Sequence, residues 1–206
     1  MIKVIYILQA VLFATLLLVV TACSQSPQLP QLSAGATILA YGDSLTSGYG
    51  AAETESYPAQ LAKLTGRKVV NAGIPGEISA NGLKRLPELL ENEHPALLIL
   101  CHGGNDILQH LDQRQLAENL RAMIKLARGK GVGVVLVSVP MFGLSLDPPQ
   151  LYEEIAKEFG APLEKRVLKK VLGKRTLKSD QIHPNAAGYR MMAEALQKTL
   201  KKSGAL

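Results

Sequence analysis

The chain is expected to fold as a single α/β domain built on a parallel sheet with helices on both faces. Short runs of aliphatic and β-branched residues recur along it, each followed by a stretch with helical periodicity. None of these runs alternates with polar residues, which is the pattern of strands covered on both faces. With 206 residues, 47% of them hydrophobic, the chain can bury one substantial core and is too short for two ordinary domains.

The first residues stand apart. Met1 to Lys3 carry one positive charge, and Val4 to Val20 are apolar except for Gln9 and Thr15, the shape of an export signal. The run then ends in Val20-Thr21-Ala22-Cys23, which resembles the lipobox of bacterial lipoproteins. Residues 1–22 are therefore expected to be a lipoprotein signal and Cys23 the lipidated residue, with an uncleaved anchor and a plain secreted protein as the competing readings. Residues 23–35 are polar and proline-bearing without periodicity, and read as a flexible tether. The folded domain is expected over residues 36–206. Ser24 replaces the aspartate often associated with inner-membrane retention, so the periplasmic face of the outer membrane is the expected location.

Four strands are predicted at Thr37-Ile38-Leu39-Ala40, Lys68-Val69-Val70-Asn71, Ala96 to Leu100 and Val132 to Val137, all buried on both faces. A fifth begins at Ala161-Pro162-Leu163 and is interrupted by Glu164-Lys165-Arg166. The clearest helix runs from about Arg114 to Arg128, with Leu116, Leu120, Met123, Ile124 and Ala127 on one face, Asp112 paired with Gln115 as a capping box, and Gly129 and Gly131 to stop it. Another runs from Pro184 to about Lys201, capped by Asn185, with Met192, Leu196 and Leu200 as its core stripe. A third, around Leu83 to Glu91, contains Pro87 and is expected to be broken or late-starting. No period of about 20 to 50 residues repeats, which excludes a solenoid.

In open parallel sheets the working site lies beyond the carboxyl ends of the strands. The loops at those ends hold Gly42-Asp43-Ser44, Gly73, Gly103-Gly104-Asn105-Asp106 and Pro140-Met141-Phe142-Gly143, so all four are expected to converge. A serine hydroxyl is a weak nucleophile unless a base, an orienting acid and oxyanion donors surround it. Asp180-Gln181-Ile182-His183-Pro184 supplies the first two, because an Asp three residues before a His can curl back, accept the Nδ1–H and leave Nε2 for the serine proton. Asn105 offers an amide N–H, and Gly73 and Ser44 offer backbone N–H groups.

These blocks resemble the SGNH, or GDSL, hydrolase family. Gly42-Asp43-Ser44-Leu45, Asn71-Ala72-Gly73, Gly103-Gly104-Asn105-Asp106 and Asp180-Gln181-Ile182-His183-Pro184-Asn185 match its blocks in order across residues 37 to 200. Within it the chain is most similar to the bacterial arylesterase, acyl-CoA thioesterase and lysophospholipase group, a likeness that extends to Gly82-Leu83-Lys84-Arg85-Leu86-Pro87 and Asn185-Ala186-Ala187-Gly188-Tyr189. The resemblance implies a flavodoxin-like three-layer α/β/α sandwich with about five strands, hydrolysing carboxylic esters or thioesters. It also implies Ser44 as nucleophile, His183 as base, Asp180 as its orienter, and Ser44, Gly73 and Asn105 as the oxyanion hole. No metal or organic cofactor is implied, and the expected partners are a small ester or lysophospholipid and the membrane that holds the anchor. The chain is expected to be a monomer.

Other classes were weighed. An α/β-hydrolase elbow needs glycine two residues after the serine, where Thr46 stands. No G-x-G-x-x-G follows the first strand, which excludes a Rossmann phosphate loop. An O-acetyl esterase acting on envelope polysaccharide and a non-catalytic envelope binding module remain as alternatives. Cys101 and His102 sit at a strand end and are expected to be a buried apolar group and a supporting histidine; His94 and His110 lack ligand spacing, so no metal site is expected. The formal charge is +6, and Lys165, Arg166, Lys169, Lys170, Lys174, Arg175 and Lys178 cluster. No aromatic residues interleave with them and the export signal argues against nucleic acid. A solvated helix face, or contact with anionic lipid or acidic polymer, is expected instead.

Overall fold

The computed structural model describes residues 27–143 and 145–206. The expected signal peptide and Cys23 lie outside them. One sheet holds β1 (Thr37–Gly42), β2 (Lys68–Gly73), β3 (Leu97–Cys101), β4 (Gly133–Val137) and β5 (Leu163–Glu164) in the order β2-β1-β3-β4-β5, with every pairing parallel. The helices are α1 (Ser44–Ser47), α2 (Tyr57–Thr65), α3 (Ser79–Glu93), α4 (Gly104–Leu108), α5 (Gln113–Gly129), α6 (Leu151–Phe159), α7 (Val167–Leu172) and α8 (Ala186–Lys202). Helices α2, α7 and α8 pack together, as do α3, α5 and α6, giving the two outer layers of an α/β/α sandwich.

β3 and nearly all of β1 and β4 are buried, as strands covered by both layers must be. Burying one such Val, Leu or Ile contributes about 1.5–3 kcal/mol, so the sheet centre is the main stabilising element. The expectation for β2 needs correction: it is an edge strand, half-buried at Val69 and Val70 and exposed at Lys68 and Asn71. Its apolar run therefore matched an edge as well as a centre. β5 stops after two residues, where Glu164 turns its carboxylate back onto the N–H groups of Arg166 and Val167, which starts α7 in place of more sheet.

Two helix expectations also change. α3 begins at Ser79 and continues through Pro87 to Glu93 without a break. Its start is held by a distant group, since the Asp106 carboxylate accepts the Ser79 N–H at 2.8 Å and its hydroxyl at 2.5 Å. The stretch 79–82 carries no capping signal of its own, so the local sequence did not announce it. In α5, Asp112 caps the Arg114 N–H at 2.8 Å, but Gln115 reaches forward to Asn119 and completes no capping box. α8 matches expectation, with Asn185 accepting the Gly188 N–H at 3.1 Å and Met192, Leu196 and Leu200 buried.

Part of the expected tether is docked. The Leu29 N–H donates to the Ser203 carbonyl at 2.8 Å and the Leu32 N–H to the Ala205 carbonyl at 2.9 Å, while the Leu32 side chain joins the core. Residues 27–206 thus contain the complete sheet and its hydrophobic core.

Candidate active site

Strand register delivers the site loops to one level. Gly42, the last residue of β1, pairs with Gly73 of β2 on one side and with Cys101 of β3 on the other. This is the point where the connection from β2 crosses over β1 to β3, and a crevice opens there. The chain can pack this closely only with glycine: a Cβ on Gly42 would lie 1.9 Å from the Cys101 carbonyl oxygen, and one on Gly73 would lie 2.1 Å from the Ser47 nitrogen.

Ser44 opens α1, so its N–H is not consumed by the helix. Asp43, only 1% exposed, caps this turn by accepting the Leu45 N–H at 3.0 Å, and its other oxygen accepts the Gly104 N–H at 3.2 Å. One carboxylate therefore ties the serine turn to the loop that bears Asn105. Burial pushes the Asp43 carboxyl up from its usual range, against the lowering by the Leu45 and Gly104 N–H donors.

The His183 ring lies against this turn. Its Nε2 is 3.1 Å from Ser44 Oγ, and its Nδ1 is 2.7 Å from Asp180 Oδ2. Asp180 also accepts the N–H groups of Ile182 and His183, both at 2.8 Å. Desolvation raises the Asp180 carboxyl, but the Ile182 N–H and the two His183 donors outweigh it and hold it below the usual carboxylate value. With Nδ1–H committed to Asp180, Nε2 is the free basic nitrogen facing the serine hydroxyl. The exposed ring of Tyr49 packs 4.6 Å from the imidazole, centroid to centroid.

Asn105 lines the same cleft, with its Nδ2 donating to the Glu77 carbonyl at 3.0 Å. A carboxamide has two N–H bonds, so this contact orients the group and leaves one donor over. The Gly73 N–H is already engaged by Asn71 Oδ1 at 3.1 Å. It can reach a substrate oxygen only by exchanging that partner.

Sequence reasoning missed the support beneath these donors. Glu77 accepts from Arg85 Nε and Nη2, both at 2.7 Å, and lies 3.1 Å from His102 Nε2. The Gly103 N–H donates to His102 Nδ1, so the histidine proton sits on Nε2 and points at Glu77. The same Arg85 nitrogen donates to the Ala72 carbonyl at 2.7 Å and the Gly42 carbonyl at 3.3 Å, the residues just ahead of Gly73 and the Asp43-Ser44 turn. Desolvation raises the Glu77 carboxyl, and His102 and Arg85 more than offset it, leaving it lowered. The stretch Gly82 to Pro87 was noticed as a shared block, but nothing local marks Arg85 as the group joining three loops. Cys101 is fully buried and its thiol is pushed up by burial, in keeping with an inert packing group.

The cleft is walled by Leu108, Phe142 and Ile182 together with Ser44, Asn105 and His183, and its cavity volume is only about 10 Å³. A far larger groove of about 1280 Å³ lies on another side of the molecule and shares none of these residues. The chemistry follows the convergence of nucleophile, base and donors and not the size of the recess.

Comparison with known proteins shows the family. Residues 40–191 match the GDSL-like Lipase/Acylhydrolase family. Esterase TesA of Pseudomonas aeruginosa is 34% identical over 200 residues, covering 89% of this chain and 97% of that protein. The thioesterase 1/protease 1/lysophospholipase L1 of Escherichia coli K12 is 31% identical over 177 residues, 82% of this chain and 85% of its own length. Among solved structures, the psychrotrophic esterase EstA from Pseudoalteromonas, inhibited by monoethylphosphonate, superposes with a TM-score of 0.71 at 26% identity over 81% of this chain and 97% of that one. The crystal structure of TesA gives the same TM-score of 0.71 at 34% identity, covering 80% of this chain and 98% of that one. The chain belongs to the GDSL-like lipase/acylhydrolase family and is an ester hydrolase on the SGNH fold.

Proposed function

We propose that the protein hydrolyses acyl esters through a covalent intermediate on Ser44, with His183 as base and Asp180 as its orienter. The observation that carries this is the unbroken relay from Ser44 Oγ through His183, at 3.1 Å, to Asp180, at 2.7 Å. His183 Nε2 takes the hydroxyl proton as Ser44 Oγ attacks the ester carbonyl. The oxyanion develops toward the Ser44 N–H and the free Asn105 N–H, with Gly73 joining once its N–H leaves Asn71. Collapse breaks the bond to the alkoxy group, which leaves with the proton from His183. Water then adds to the acyl-enzyme with His183 as base again, releasing the acid and the serine.

Medium or long acyl groups are favoured by the distribution of exposed apolar side chains. Tyr49, Ile74, Leu108, Leu111 and Met141 are the exposed large hydrophobics among the described residues. Every one lies in the segment that follows β1, β2, β3 or β4, at the carboxyl edge of the sheet where Ser44 stands, and Leu108, at the end of α4, lines the cleft itself. Such clustering at one edge marks a surface that meets apolar ligand. The small enclosed volume instead suits an acetyl group, and is what favours the second reading, an O-acetyl esterase. Hydrolysis of 4-nitrophenyl esters from acetate to palmitate decides between them: kcat/KM rising with chain length supports the collar, and a sharp fall beyond acetate supports the alternative. The export signal, attachment through Cys23 to the periplasmic face of the outer membrane, and a monomeric state belong to the same proposal. A Cys23→Ala variant that fractionates with the membrane as before would refute the anchor.

A further inference from the structure

The basic cluster seen in the sequence is part of a larger feature. The groove of about 1280 Å³ runs beside the open edge of β5, bounded by α6, α7 and α8. From the cluster, Lys165, Arg166, Lys170 and Lys174 line it. Lys157 on α6 and Lys198 and Lys202 on α8 add three cations that no local run in the sequence connects with them. All seven are exposed, and only Lys165 has an ion-pair partner, Glu153, among the described residues. The one carboxylate of the lining, Glu164, is occupied by the N–H groups of Arg166 and Val167 and by the Thr199 hydroxyl.

The floor is different in character. Ala156, Ala161, Pro162, Leu163, Val167 and Ala195 lie between the cations. An apolar floor under a cationic rim fits an amphiphile with an anionic head, whereas a purely polar polyanion would leave the floor unused. Pro27, the first described residue, also lines the groove. Cys23 precedes it by four residues, a span of at most about 14 Å, and the apolar run Val4 to Val20 comes just before. Whether that run or an acyl group on Cys23 enters a bilayer, the short span to Pro27 brings the lipid surface within reach of this groove.

We propose that the groove is a docking site for anionic phospholipid headgroups, seating the domain on the membrane to which its N-terminus leads. This rests on the membrane-attached reading above but not on the ester chemistry, because the groove and the cleft share no residue. Each Lys or Arg near an anionic bilayer strengthens binding about fivefold, and the effect falls within a Debye length.

The test uses residues 27–206, which carry the sheet and the hydrophobic core. Sedimentation with vesicles of phosphatidylglycerol and phosphatidylcholine should show binding that pure phosphatidylcholine does not support and that weakens with salt. Replacing Arg166, Lys170, Lys174 and Lys198 by Gln should weaken it by about a hundredfold or more, with turnover of a soluble 4-nitrophenyl ester unchanged. Replacing Lys84, Arg114 and Lys125, exposed cations on α3 and α5 outside the groove, should leave vesicle binding within about twofold if the groove is the site. The proposal is overturned if both sets of variants lose binding equally, if neither does, or if the fragment does not bind anionic vesicles. It is also overturned if inorganic phosphate at equal charge competes fully, which would make the groove a site for a free anion, or if alginate binds more tightly than vesicles. Loss of ester turnover in Ser44→Ala, measured on the same fragment, reports on the catalytic reading separately.

Discussion

The nucleophile and the base of the proposed triad are held in opposite ways. Ser44 stands on a frame of long-range bonds: Asp43 reaches Gly104, Glu77 reaches His102 and Asn105, and Arg85 joins Glu77 to the ends of β1 and β2. The frame is dry, with Asp43 and His102 at 1% and 0% exposure. His183 and Asp180 sit on a loop that binds itself, through contacts two and three residues apart, and the Asp180 side chain is 44% exposed. Oxyanion donors act only if they are fixed before the charge develops, which requires a rigid frame. A base needs a tautomer and an approach direction, and a short loop supplies both.

Substitutions can break the comparison from either side. Ser44→Ala should lower kcat/KM on 4-nitrophenyl butyrate by about 10⁴-fold or more, with the fold unchanged by circular dichroism. Asn105→Ala should cost about 10²–10³ in kcat, with KM nearly unmoved, because its donor is used chiefly in the transition state. A comparable rise in KM would mean that Asn105 holds the ground-state ester instead.

Arg85→Met tests the frame without touching substrate. It leaves Glu77 largely buried with only the neutral His102 ring as a hydrogen-bond partner, a loss of about 3 kcal/mol in stability. The sign with pH follows from Glu77, whose carboxyl is lowered in the folded protein. In the native chain its contribution is present above the unfolded carboxylate pKa and is lost as pH falls through the folded value. In the variant the lowering by Arg85 is gone, so the gap in melting temperature between the two proteins should widen toward neutral pH and narrow in acid. A gap independent of pH would show that Arg85 acts by packing over Tyr41, 4.2 Å away, more than by charge.

The asymmetry also explains what the sequence made legible. The Asp180–His183 pair was readable because its bonds are local and its spacing is its geometry. The strands and the meeting of the glycine loops were readable from apolar runs and the rule for parallel sheets. The partners of Ser44 were not, because Asp43 and Gly104 are 61 residues apart and Arg85 and Gly42 are 43 apart. The start of α3 was hidden for the same reason, since its cap comes from Asp106, 27 residues on. The edge position of β2 and the groove flanked by α6, α7 and α8 are properties of topology, which an apolar run or a lysine count does not encode.

The smallest effects belong at the open rim. Tyr49→Ala removes the ring beside His183 and part of the apolar collar, and should raise KM for a decanoyl ester about threefold while leaving acetate turnover within about twofold. Equal losses on both esters would assign Tyr49 to positioning the imidazole.

The central claim is that one serine becomes acylated with His183 as its base. Ethyl 4-nitrophenyl methylphosphonate should label the native protein once, on the peptide bearing Ser44, and the rate should fall in acid, because a general base must be unprotonated to accept the serine proton. His183→Ala should slow labelling by orders of magnitude and abolish that pH dependence. Labelling at another residue, or a rate indifferent to both pH and His183, would contradict the account.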